Sequence, residues 1–95
     1  MSNIVELNVG GTYLSTTRFT LNAFPESMLR SMFLPENESM RVIDNKGRVF
    51  IDADPVMFST ILNLARRQLK ANPDEPPLGI SKETWLQELD YWQFY

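Results

Sequence analysis

Apolar and polar residues alternate at the start of the chain. Val5, Leu7 and Val9 fall on one side and Glu6 and Asn8 on the other, the period of a strand with one buried face. Gly10 and Gly11 follow, a pair suited to the positive φ of a tight hairpin turn. The next segment, rich in Thr and Tyr, suits the returning strand, so the chain is expected to open with a β-hairpin. Thr20 is placed to cap a short helical turn through Asn22. Phe24-Pro25-Glu26-Ser27 then opens a helix with Pro25 in its first turn. Leu29, Met32 and Phe33 share one face of that helix, and Pro35 closes it. Arg41-Val42-Ile43 and positions 48–52, joined by Asp44-Asn45-Lys46-Gly47, read as a second hairpin.

The strongest helical period lies further on. Asp54 and Pro55 form a start signal, a capping carboxylate followed by a residue with no N–H to satisfy. Phe58, Ile61, Leu62, Ala65 and Leu69 then recur on one face, with Ser59, Thr60, Asn63, Arg66 and Arg67 opposite. Positions 72–79 hold three prolines and read as a loop. Ser81 caps a last helix with Trp85, Leu86, Leu89 and Trp92 on its apolar side. The chain stops at Tyr95, just after an aromatic cluster, which is expected of a fragment of a longer protein.

Composition narrows the function. Ninety-five residues with 43% apolar content fit one small globular domain. A net charge of -3 gives no broad basic face for nucleic acid. The basic cluster of Arg66, Arg67 and Lys70 is too small for a membrane-surface stripe. No apolar run approaches the ~20 residues of a membrane span. The N-terminus lacks the basic and apolar regions of a signal peptide, so a cytosolic location is expected. The sequence Asn37-Glu38-Ser39 fits a glycosylation acceptor, but no other feature is secretory. There is no Cys and no His, which removes thiol nucleophiles, Ser-His triads and zinc sites built on these residues.

The remaining chemical motifs each have a plainer reading. Gly10-Gly11-Thr12 lacks the Lys-Ser/Thr of a phosphate loop and leads into a strand. Asp52-Ala53-Asp54 offers too few oxygens for a hard cation, and Asp54 is engaged as a cap. Glu83, Glu88 and Asp90 fall on a helix with no implied pocket and read as a solvated face. Trp85 and Trp92 are expected in the core. For Phe94 and Tyr95, core packing and a partner-facing patch both stay open. Neither catalysis nor a cofactor is expected.

Taken in order, several segments resemble one family. Val5-Glu6-Leu7-Asn8-Val9-Gly10-Gly11-Thr12-Tyr13 is similar to the opening of the potassium-channel tetramerisation branch of the BTB/POZ fold. Thr16-Thr17-Arg18, Thr20-Leu21, Phe24-Pro25-Glu26-Ser27-Met28-Leu29, Phe50-Ile51-Asp52-Ala53-Asp54-Pro55, positions 58–64 and Glu88-Leu89-Asp90-Tyr91-Trp92 resemble later segments of that family. The resemblance implies an α/β fold with a mixed sheet and two hairpins packed on a helical layer. It also implies homo-oligomeric rings of four or five copies that meet head to tail through polar faces. On that basis the interface candidates are Asn8, Gly10, Gly11, Thr12, Arg18, Asp52, Asp54 and Arg66. A closed ring needs a defined rotation between neighbours, and directional polar contacts specify orientation. The implied role is assembly of a potassium channel or a related cytoplasmic protein. The alternative is a KCTD-like substrate adaptor for a cullin-3 ubiquitin ligase. Many members carry Arg between the two acidic residues of the junction where this chain has Ala53. Some channel branches hold zinc between subunits with His and Cys, which this chain lacks.

Overall fold

The N-terminal alternation forms strand β1 (Ile4–Val9), antiparallel to β2 (Thr12–Thr17), in a computed structural model that describes residues 3–94. Gly10 and Gly11 make the turn with φ +56 and +99, values at which a Cβ is strained. The second hairpin is shorter than its sequence signal, with β3 (Val42–Ile43) antiparallel to β4 (Val49–Ile51). Strand β4 lies parallel to β1, giving one four-stranded mixed sheet in the order β2-β1-β4-β3.

Register and the period of two then sort the side chains. Val5, Leu7, Val9, Val49 and Ile51 are buried on one face. Glu6, Asn8, Tyr13, Ser15 and Phe50 fall on the other, where Tyr13 and Glu6 stay exposed. The buried face meets the helices in a single core. Helix α3 (Pro55–Arg66) is capped by Asp54, whose carboxylate accepts the Val56 N–H at 2.8 Å. It buries Met57, Phe58, Ile61, Leu62 and Ala65. Helix α4 (Lys82–Trp92) is capped by Ser81 and buries Trp85, Leu89 and Trp92. Phe58 and Trp92 meet edge to face at 5.2 Å, and the Trp85 indole N–H donates to the Asn72 carbonyl at 2.9 Å. Burial of side chains of this size stabilises the fold by roughly 1.5–3 kcal/mol each.

Several expectations give way to local hydrogen bonding. Helix α1 (Arg18–Leu21) is capped by Thr17, because the Thr17 hydroxyl accepts the Thr20 N–H at 3.2 Å; Thr20 itself lies within the helix. Helix α2 (Met28–Met32) starts after Pro25. Ser27 donates to the Phe24 carbonyl at 2.7 Å and accepts the Arg30 N–H at 3.2 Å, which makes it the cap. Pro35 opens a 3-10 segment, Pro35–Met40, that the periodicity had hidden. Leu69 is off the core face because α3 ends earlier. Gln68 turns to φ 55, the Leu69 N–H closes on the Leu64 carbonyl at 2.9 Å, and Leu69 remains 43% exposed. The same closure ends α4: Gln93 adopts φ 53 and the Phe94 N–H reaches the Leu89 carbonyl at 3.0 Å. There the following side chain turns inward, and Phe94, buried, meets Phe24 at 4.7 Å. Leu86 was expected on the apolar side of α4 and instead faces outward, 41% exposed, one residue round the helix from Trp85. Tyr95 lies outside the described residues.

Candidate functional site

The end of β1 and the start of α3 are held together by backbone contact. The Gly10 N–H donates to the Ile51 carbonyl at 3.0 Å, which carries the parallel ladder one residue past the strand. A Cβ at Gly10 would stand 2.6 Å from the Ala53 carbonyl oxygen, so the turn packs directly on the junction. The half-buried Ala53 side chain packs against the core. Asp52 and Asp54 flank it, both exposed. Beside them a groove of about 380 Å³ is lined by Thr12 from β2 and by Pro55, Val56, Ser59, Thr60 and Asn63 from α3.

Six of the eight residues singled out from the sequence therefore share one edge: Asn8, Gly10, Gly11, Thr12, Asp52 and Asp54. Asp54 is already engaged as a helix cap, whereas Asp52 is a solvent-facing carboxylate at the end of β4. Arg66 lies along β2, where its guanidinium donates to the Ser15 carbonyl at 2.6 Å and to Asn63 Oδ1 at 3.0 Å. Those bonds occupy it within its own chain and cover part of the free edge of β2. Arg18 is separate. It follows Thr17 at the far end of the hairpin, about 17 Å from the turn for a six-residue strand.

Two charged residues at this sheet face escaped the sequence reading. Asp44 accepts the N–H groups of Lys46 at 2.9 Å and Arg48 at 2.8 Å, and the Asn8 side-chain amide at 3.0 Å. Desolvation favours its neutral form. That effect is outweighed by the Arg48 N–H, the Asn8 amide, the Lys46 N–H and the Arg48 charge, so the carboxyl lies below its ordinary value of 3.8. The Arg48 guanidinium lies over the Tyr13 ring at 4.0 Å. Asp44 was legible as a turn residue, but its partner Asn8 lies in another hairpin and left no sequence signal.

A second feature lies between α2 and the 3-10 segment. Met28, Met32 and Met40, with Ser31, Asn37 and Arg41, line a groove of about 270 Å³. Arg41 forms part of its wall, donating to the Met32 and Leu34 carbonyls at 2.8 and 3.0 Å. The Asn37 amide donates to the Ser31 carbonyl at 2.7 Å, so this side chain is engaged in local structure. Among the described residues no group of three or more acidic side chains is arranged to hold a metal ion. No helix among them is long and apolar enough to cross a membrane.

The BTB/POZ domain family matches residues 5–95. This chain belongs to the BTB/POZ family. The BTB/POZ domain-containing protein KCTD21 of Homo sapiens is 37% identical over 94 residues, covering 98% of this chain and 34% of that protein. SH3KBP1-binding protein 1 of Bos taurus is 35% identical over 92 residues, covering 97% of this chain and 12% of the relative. The potassium channel regulatory protein of Bos taurus is 35% identical over 89 residues, 92% of this chain and 33% of the relative. The chain thus spans about a third or less of the length of these relatives. It is a BTB/POZ domain of the KCTD-like type, and domains of this family are protein–protein interaction modules that self-associate.

Proposed function

We propose that this BTB/POZ domain assembles four or five copies of its parent protein into a closed ring, and that it performs no chemistry on a substrate. The observation that carries this reading is the edge where the Gly10 and Gly11 turn packs on the Ala53 carbonyl beside the exposed Asp52. A rigid turn, an adjoining shallow groove and a carboxylate offer directional contacts on a small area, which suits a heterologous contact whose rotation must close. The ring would hold attached segments at high effective concentration in a cytoplasmic protein or the cytoplasmic part of a channel. Arg66 contributes to this edge through the backbone of β2, and Arg18 belongs to a contact at the other end of the hairpin.

Replacing Asp52 by Lys tests this reading, because Asp52 is exposed and its carboxylate makes no hydrogen bond or ion pair among the described residues. Sedimentation velocity should show self-association weakened by about tenfold or more, with the thermal midpoint unchanged. Assembly equal to that of the parent chain would remove this edge from the interface.

A second reading, a substrate adaptor for a cullin-3 ubiquitin ligase, is favoured by the methionine groove. Met40 in its lining and Val42 and Ile43, which follow the lining residue Arg41, are 80%, 62% and 53% exposed. Flexible thioethers next to exposed apolar residues form an adaptable docking surface. Capture of the cullin N-terminal region by the parent chain, and its loss in Met32→Asp with ring size unchanged, would support this role. Absence of capture by the folded parent chain would count against it.

A further inference from the structure

Asn8 sits between two turns. Its Oδ1 accepts the Gly11 N–H at 2.9 Å, and its Nδ2 donates to Asp44 Oδ2 at 3.0 Å. The other Asp44 oxygen accepts the N–H groups of Lys46 and Arg48. One carboxylate and one carboxamide thus join the two hairpins, which form the two halves of the sheet and meet where β1 pairs with β4. The partners are 36 positions apart in sequence.

The chemistry of the two groups fixes the direction of this chain of bonds. An ionised carboxylate only accepts, so the side of Asn8 that meets Asp44 must be the NH2 group. The Asn8 carbonyl oxygen is then turned toward Gly11, where it satisfies a turn N–H that has no partner in the sheet ladder. Were the carboxamide reversed, its oxygen would face the carboxylate and its NH2 group would face the Gly11 N–H. Both contacts would be lost together. A carboxylate in the second hairpin and the Gly11 N–H therefore select the same orientation of the side chain that joins them.

We infer that Asp44 is a positioning residue for the Gly10 and Gly11 turn, acting through Asn8, and that it thereby sets the geometry of the edge used for assembly. The second clause rests on the proposed self-association; the first stands on the hydrogen bonds alone. Asp44 need not touch a neighbouring copy to exert this effect.

The test exchanges donor and acceptor without changing shape, using Asn8→Asp, Asp44→Asn and the double variant. Asp44→Asn keeps an oxygen for the Lys46 and Arg48 N–H groups but sets NH2 against NH2 at Asn8. Asn8→Asp sets carboxylate against carboxylate. In the double variant the amide at position 44 donates to the carboxylate at position 8, whose other oxygen accepts the Gly11 N–H, so the bonds are restored with reversed polarity. Hydrogen exchange at the Gly11 amide, followed by NMR, and the self-association constant are measured for all four chains. Either single variant should speed Gly11 exchange and weaken assembly by about tenfold, the scale of one lost charge-assisted hydrogen bond. The double variant should return both close to the parent. A local turn role for Asp44 predicts that Asp44→Asn matches the parent at Gly11; that result, or a double variant no better than the singles, would overturn the inference. If the parent chain is a monomer, the assembly reading falls, while Gly11 exchange still decides the positioning role.

Discussion

The two faces of the sheet are built on different physical terms. On the inner face Val5, Leu7, Val9, Val49 and Ile51 are buried against α3 and α4, and their contribution is non-directional apolar burial. On the outer face Asn8, Asp44, Arg48 and Tyr13 are linked by hydrogen bonds and a stacked guanidinium. The inner face depends on apolar volume and shape; the outer face depends on which atom donates and which accepts. The inner face thus specifies that the chain folds, and the outer face specifies where the edge of the sheet points.

The largest effect expected from this contrast is at Leu7, which is 0% exposed. Leu7→Ala should lose about 2–5 kcal/mol of stability in urea unfolding. A loss well under 1 kcal/mol would mean that the inner face is not packed as described. Next comes Gly10, where φ +56 and a Cβ position 2.6 Å from the Ala53 carbonyl oxygen oppose any side chain. Gly10→Ala should cost roughly 1–3 kcal/mol. Because the displaced group is the junction backbone, it should also impair assembly, whereas Leu7→Ala should impair assembly only as far as the fold is lost.

Acid titration separates the faces further. The Asp44 carboxyl lies below its ordinary value in the folded chain. Its ionised form therefore adds stability that is fully present above the unfolded-state pKa and is lost as pH falls through the folded value. Removing that carboxylate in Asp44→Asn should flatten the acid limb of the stability profile below about pH 4. Leu7→Ala should lower the whole profile without changing the shape of that limb. The smallest effect is expected at Glu6, on the same strand as Leu7 but exposed. Glu6→Ala should change stability by no more than about 0.5 kcal/mol, and a cost comparable to that of Leu7→Ala would erase the distinction between the faces.

What the sequence discloses follows the same division. The period of two in β1 and the recurrence from Phe58 to Ala65 disclosed the first strand and α3, because burial is periodic and repeats along the chain, while the mixed sheet was implied by the family resemblance. The cap signals at Asp54 and Ser81 were legible because the capped amides lie two or three residues away. The order of motifs pointed to the family, and it is the structure that places six of the eight candidate residues near one another. What stayed hidden depends on contacts distant in sequence or on backbone closure. Nothing near Asn8 reveals that Asp44 is its partner, or that Arg66 is engaged at the Ser15 carbonyl. The fates of Leu69 and Phe94 were set by Gln68 and Gln93 in left-handed conformations, which Gln does not advertise as Gly would.

The central claim is that copies of this chain recognise one another. Sedimentation equilibrium of the purified chain from low to high micromolar concentration tests it most directly. The account predicts a species of four or five times the 11.0 kDa chain mass, stable across that range, with self-association weakened by about tenfold or more in Asp52→Lys. A single 11.0 kDa species at every concentration would contradict it.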